Sequence, residues 1–125
     1  MILPEGEYFI GDLSYVMDQE WEEVCDLIAG DQYPEEGQFR LSDGRQFAIF
    51  NTAYGDGVFY DQNGRQYLVD SGTIGCIRKQ DLTNKEIRVG LGHVVKMPNK
   101  FYAYSDSKTI YFDDIVIETG TEENF

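Results

Sequence analysis

Residues 7–10, Glu-Tyr-Phe-Ile, form a short aromatic and β-branched run after Gly6 that ends on Gly11-Asp12, and a second apolar run follows at Tyr15-Val16-Met17. This pattern predicts strand, turn, strand. The apolar period then changes. Trp21, Val24, Cys25 and Ile28 recur at i, i+3, i+4 and i+7, which places them on one side of a helix. Asp18 is the expected N-cap, since a carboxylate there can accept from the free N–H groups of the first turn, and Gly30 is the expected stop. Residues 31–37 read as an acidic loop.

Beyond this point the chain becomes a series of short alternating runs separated by turn dipeptides. Asp43-Gly44 and Asn63-Gly64 predict two-residue type I′ hairpins, with positive φ at both central positions. They belong to a repeat: Asp43-Gly44-Arg45-Gln46-Phe47 recurs as Asn63-Gly64-Arg65-Gln66-Tyr67. Further strands are expected at 73–77, at 86–97 (bent around Gly90 and Gly92), and at 100–104 and 109–117, with a turn at 81–84. Residues 119–125 read as a loose polar tail. The expected fold is α+β and β-rich, a single domain over residues 1–125. It would be a strongly curved antiparallel sheet or small barrel of consecutive hairpins, with one N-terminal amphipathic helix packed on it.

Composition adds an electrical asymmetry to this picture. The net charge is −13, and the first 39 residues carry eleven carboxylates and no Lys or Arg, whereas residues 40–105 carry nine bases against six acids. Such a charge opposes binding to nucleic acid or to anionic lipid, so the partner it favours is a basic protein surface. No stretch approaches the ~20 apolar residues of a membrane span, and the N-terminus lacks the basic and apolar regions of a signal peptide, so the expected location is the cytoplasm. Cys25 and Cys76 have no metal-binding spacing and His93 is the single histidine, so neither a metal nor another cofactor is expected.

Several motifs touch on chemistry. Val69-Asp70-Ser71-Gly72-Thr73 resembles the catalytic loop of aspartic proteases, but that family's later apolar-plus-Gly segment and C-terminal helix are missing. A turn after a strand accounts for the motif. The Tyr54-Gly55-Asp56-Gly57 and Asp61-Gln62-Asn63-Gly64 segments hold oxygen ligands without EF-hand spacing. Ser71, His93 and an aspartate could compose a triad, yet Gly-x-Ser-x-Gly is absent, as are a P-loop and a dinucleotide fingerprint. The chain is therefore read as a non-enzyme.

Taken together, Tyr8-Phe9-Ile10-Gly11-Asp12, Tyr15-Val16, the Trp21 helix, Tyr54-Gly55-Asp56-Gly57 and residues 69–75, Val-Asp-Ser-Gly-Thr-Ile-Gly, resemble a family of short uncharacterised proteins of bacteriophage and bacterial genomes. The resemblance implies a small accessory protein, phage-encoded and acting in the host cytoplasm, and carries no activity or site with it.

The leading functional expectation is an acidic inhibitor of a host defence or nucleic-acid-binding protein, acting by imitating nucleic-acid charge. The helix stripe and the loop after it supply its contacts: Glu20, Glu22, Glu23, Asp26, Asp31, Glu35 and Glu36. An alternative is a small-ligand or nucleotide-signal binding module built from the glycine-rich turns, with Tyr15, Tyr54, Asp56, Asp70 and Ser71 lining its pocket. Convergence of Arg45, Arg65 and Arg78 would turn that pocket towards phosphate. A structural virion component is a third reading. The sequence does not give the oligomeric state.

Overall fold

The computed structural model describes residues 2–29, 35–84, 86–87 and 90–120. Among them are eleven strands, one α-helix and two 3-10 turns. Strands β1 (Ile2–Leu3) and β2 (Gly6–Gly11) lead into a 3-10 turn at Leu13–Tyr15 and helix α1 (Trp21–Leu27). Then come β3 (Gly37–Arg40), β4 (Gln46–Asn51), β5 (Gly57–Tyr60), β6 (Gln66–Val69) and β7 (Thr73–Arg78). A 3-10 turn at Lys79–Asp81 precedes β8 (Gly92–Met97), β9 (Phe101–Asp106), β10 (Thr109–Phe112) and β11 (Ile115–Glu118).

The strands make three antiparallel sheets: a five-stranded one in the order β3-β4-β7-β2-β8, a four-stranded one in the order β1-β9-β10-β11, and the β5-β6 hairpin. An isolated bridge between Asp61 and Ile117 sets the hairpin beside β11. Among the described residues neither of the expected shapes, a strongly curved sheet or a small barrel, is present. The sheets are not strongly curled and no barrel closes; β3 ends one side of the main sheet.

Alternation along the five-stranded sheet separates two cores. Tyr8, Ile10, Ala48, Phe50, Ile74 and Cys76 point to the four-stranded sheet and the hairpin, where they meet Tyr67, Phe101, Ile110, Phe112 and Ile117. Phe9, Phe47, Ile49 and Ile77 point the other way, towards Leu13, Val16, Met17, Val24 and Ile28. Helix and 3-10 turn thus cover one face of the central sheet and the second sheet layer covers the other. Each fully buried Leu, Ile or Phe contributes about 1.5–3 kcal/mol relative to exposure.

Local differences from expectation have physical causes. Tyr15-Val16-Met17 does not form a strand, because the Asp12 carboxylate accepts from Ser14 N–H at 2.9 Å and caps the 3-10 turn that folds Leu13 onto the sheet. Asp18 does not cap α1; the helix begins at Trp21, and Glu20 at the cap position makes no side-chain capping bond. Asp43-Gly44 and Asn63-Gly64 do make hairpins, but as type I turns with a glycine bulge. Gly44 N–H donates to Leu41 O and Gly64 N–H to Asp61 O, and of each central pair only the glycine has positive φ. The two-residue turn with positive φ at both positions lies instead at Ser107-Lys108. Asp113-Asp114 splits the long strand expected at 109–117 into β10 and β11. Of the strand expected at 86–97 only β8 forms among the described residues, while Gly30, Asp31 and residues 121–125 lie outside them. Thr119 is buried and its hydroxyl donates to Lys108 O, so order extends past β11.

The second hairpin turn carries a buried ion pair. Asp61, whose side chain is fully buried, accepts from Asn63 N–H, Arg65 N–H, Arg65 Nε at 2.8 Å and the Tyr67 hydroxyl at 2.7 Å. Burial alone would raise its pKa. The Tyr67 hydroxyl, the two backbone N–H groups and the Arg65 guanidinium more than offset this and hold the carboxyl below the usual range. Burial and the adjacent Asp61 raise the Tyr67 hydroxyl. The depressed Asp61 contributes stability above pH ~4, the ordinary carboxylate value, and loses it as pH falls through its lowered folded value. The raised Tyr67 contributes below pH ~10 and loses it above. Tyr67→Phe should cost about 1–2 kcal/mol at neutral pH. It should also flatten the alkaline arm of a melting-temperature profile; an unchanged arm would contradict the pairing.

Candidate functional site

Asp12 is fully buried at the end of β2, and its carboxylate gathers the loop between β6 and β7. Oδ2 accepts from Asp70 N–H at 2.6 Å and Ser71 N–H at 2.7 Å; Oδ1 accepts from the Ser71 hydroxyl at 2.8 Å as well as from Ser14 N–H. Ser71 Oγ and Thr73 Oγ1 lie 2.7 Å apart; with the Ser71 hydroxyl donating to Asp12, the Thr73 hydroxyl donates to Ser71 Oγ. The aspartate resembling a protease residue, Asp70, takes part through its backbone N–H and exposes its side chain. Its loop is a structural turn held from below by Asp12.

The second glycine-rich segment leans on the first. Thr52 N–H donates to Gly72 O at 3.0 Å, the Thr52 hydroxyl donates to Gly55 O, and a Cβ on Gly72 would stand 3.5 Å from Gly55 Cα. Both loops face helix α1 across a cleft of about 390 Å³, with Trp21, Cys25 and Ile28 on the helix side. Asn51, Thr52, Gly55, Ser71, Gly72 and Thr73 form the opposite wall. Residues distant in sequence, the Trp21 helix, the 51–55 segment and the 71–73 loop, therefore converge on one cleft, and Asp12 holds the last of them from outside it.

Of the pocket residues expected from sequence, Ser71 lines the cleft directly. Asp70 and Tyr54 belong to its two loops and are exposed, Asp56 is exposed, and Tyr15, the last residue of the 3-10 turn, is half-buried against the helix-side core. Trp21, Cys25 and Thr52 were missed as pocket residues. Trp21 and Cys25 read as core from their helical spacing; Trp21 does pack against the core while also facing the cleft, and Cys25 is half-buried at the cleft. The arginines do not converge on it. Arg45 bonds Asp43, Glu20 and Asp81 O, Arg65 bonds Asp61, and Arg78 lines a different depression beside Tyr8.

Much of the expected acidic contact set is engaged within the molecule. Glu20 accepts from Arg45 at 2.9 Å and from the Thr83 hydroxyl, Glu23 accepts from Ser42 N–H, and Glu36 accepts from Asn51 N–H and the Ser105 hydroxyl. Glu22, Asp26 and Glu35 are exposed and make no ion pair among the described residues. Asp31 lies outside those residues. Ser71 and His93 do not meet: His93 Nε2 is 2.8 Å from Gln66 O, with its ring against Tyr67. Among the described residues no group of three or more His, Cys, Asp or Glu is arranged to hold a metal ion, and no helix is long and apolar enough to cross a membrane.

The two thiols differ in access. Cys76 is buried in the inner core, and burial pushes its pKa up to about 12; Cys25, half-buried at the cleft, is raised by burial and by Asp26. Alkylation of the folded protein should therefore stop at one equivalent, on Cys25, and speed up as pH rises past the ordinary thiol value of ~8.5. Peptide mapping that finds equal labelling of both cysteines would contradict this arrangement.

Comparison with family models, with curated proteins and with solved structures finds no match to this chain.

Proposed function

We propose that the protein is a non-enzymatic binding module whose cleft between α1 and the two glycine loops captures a small molecule. The supporting observation is the convergence of the helix, the 51–55 segment and the 71–73 loop on one cleft of about 390 Å³, a size within the usual small-ligand range. The wall chemistry narrows the ligand class. An indole, two aliphatic or thiol groups, three hydroxyls and an amide line the cleft, and among the described lining residues there is no cation. A phosphate would find no charge partner there. A neutral or cationic compound that offers an aromatic ring to Trp21 and hydrogen bonds to the loop wall fits better.

Trp21 is the single tryptophan, so its emission reports on the cleft directly. Titration with nucleosides, free nucleobases and their phosphorylated forms should give a saturable emission change for the unphosphorylated compounds and a weaker one for the phosphates. Cys25→Tyr, which fills the cleft from the helix side, should abolish it. The same response in Cys25→Tyr, or no response to any of the unphosphorylated compounds, would contradict the proposal.

Charge mimicry by the helix remains a second reading, supported by the exposed Glu22 and Asp26, which make no ion pair among the described residues. Under it, Glu22→Lys with Asp26→Lys should abolish salt-sensitive capture of a basic host protein; unchanged capture would exclude it.

A further inference from the structure

The outer face of the second sheet layer presents tyrosines where a solvated sheet ordinarily carries Thr, Lys or Glu. On β9, Phe101 and Ala103 turn inward while Tyr102 and Tyr104 turn outward at 57% and 49% exposure. Strand pairing aligns the outward residues across the sheet: Ile2 opposite Tyr102, and Tyr104 opposite Tyr111, which is itself opposite Val116. Tyr104 and Tyr111 stack with centroids 4.6 Å apart and planes 15° from parallel. The Asp61–Ile117 bridge points its own two residues inward, so the neighbouring Tyr60, 51% exposed, falls on this same outer face. Val58 and Leu68, paired on the hairpin and both exposed, extend it.

Aromatic side chains bring roughly 150–250 Å² each. Three half-exposed tyrosines with aliphatic neighbours therefore reach the size of the largest patches on typical monomers, about 300–600 Å², which are often functional. Core packing does not require these rings, because Phe101, Ile110, Phe112, Ile115 and Ile117 already fill the inner side. Tyrosine gives rigid amphipathic contact area at little entropic cost, as in engineered and immune binding surfaces.

The charges around the patch select its occupant. Asp106, Asp113, Asp114 and Glu118 are exposed on the same strands and turns, and none makes an ion pair among the described residues; Lys100 and Lys108 are the nearby bases. The rim is net negative, and tyrosine faces attract cations through the ring quadrupole. A second copy of this chain would bring its own −13 charge against the first, and single-stranded nucleic acid, which stacks on aromatics, would be repelled in the same way.

We infer that this tyrosine face is a docking surface for an arginine-bearing segment of a partner protein, with guanidinium groups stacked on Tyr102, Tyr104 and Tyr60 and paired to the rim carboxylates. The site lies on the opposite sheet layer from the cleft and does not depend on the ligand reading.

The probe is a fluorescein-labelled nonaarginine peptide, compared by anisotropy with nonalysine at equal charge. Arginine should bind at least fivefold tighter, because lysine lacks the planar group that stacks. Tyr102→Ser with Tyr104→Ser, which alters exposed positions and leaves net charge unchanged, should weaken arginine binding at least tenfold. Glu22→Gln with Asp26→Gln, which removes two charges from the helix, should change it less than threefold. Tyr104→Phe keeps the ring and should keep binding, which separates stacking from a loss of fold. Equal affinity for the two peptides, insensitivity to the tyrosine pair, or greater sensitivity to the helix pair would overturn the inference. So would tyrosine-dependent dimerisation in sedimentation, or tighter binding of a single-stranded RNA probe than of nonaarginine. Trp21 emission should not respond to nonaarginine, so failure here and failure of the cleft reading are told apart.

Discussion

Asp12→Ala should destabilise the fold by about 3–5 kcal/mol and release the 70–73 loop before the rest of the molecule unfolds. The size follows from what the carboxylate holds. Three backbone N–H groups and one hydroxyl donate to its two oxygens, and the residue is wholly buried, so alanine leaves several donors without a partner where water enters poorly. Asp12→Asn should be milder, since one oxygen remains and the Ser71 hydroxyl can reverse its role and accept; the Ser14 N–H then faces an amide that cannot accept from it. Urea denaturation gives the total loss, and amide exchange at Asp70 and Ser71 gives its location. Slow exchange at those two amides in Asp12→Ala would show that another group holds the loop.

Gly75→Ala should be at least as damaging, by more than about 3 kcal/mol, because it places a methyl group in space the backbone already occupies. The added Cβ would stand 2.2 Å from Ala48 O and 2.8 Å from Leu13 Cδ1. Ala48 belongs to β4, whose pairing with β7 lies near the middle of the five-stranded sheet, so the carbonyl cannot retreat without opening that ladder. Truncating Leu13 in the same chain should not restore stability, since the nearest obstacle is the carbonyl. Gly120→Ala is the matched control: its neighbours start at 3.4 Å, and its stability should stay within about 0.5 kcal/mol of the parent. Near-native stability of Gly75→Ala in thermal melts would mean that β4 and β7 are not packed as described.

These two residues also show where the sequence could be read and where it could not. The helix face was legible because Trp21, Val24, Cys25 and Ile28 follow one period, and both hairpins were legible because Asp-Gly and Asn-Gly have few other uses. The 3-10 turn was not. A three-residue apolar run at Tyr15-Val16-Met17 is too short to show a period, and its partner, the Asp12 cap, also reaches Ser71 fifty-nine positions away. The layered sandwich instead of a barrel depends on which hairpins pair, as β4 joins β7 across an intervening hairpin, and no local signal encodes that choice. On β9 the alternation was hidden because both faces are aromatic, Phe101 inside and Tyr102 and Tyr104 outside.

The acidic N-terminal segment was conspicuous in sequence, yet its partners were invisible there. Arg45 pairs with Glu20 across twenty-five positions and the Ser105 hydroxyl reaches Glu36 across sixty-nine, contacts that no local pattern encodes. The cleft was only partly foreseen for a related reason. The glycine loops announced themselves by composition, while the helix residues opposite them looked like core from their spacing.

We propose above that the Trp21 cleft is a ligand site. Amide and indole shifts of labelled protein, recorded during titration with the nucleoside or nucleobase giving the largest emission change, test it most directly. Saturable shifts confined to the Trp21 indole and to residues 51–55 and 71–73, absent in Cys25→Tyr, are the predicted result. Shifts centred instead on the outer tyrosines, or an unperturbed cleft at saturating compound, would contradict it.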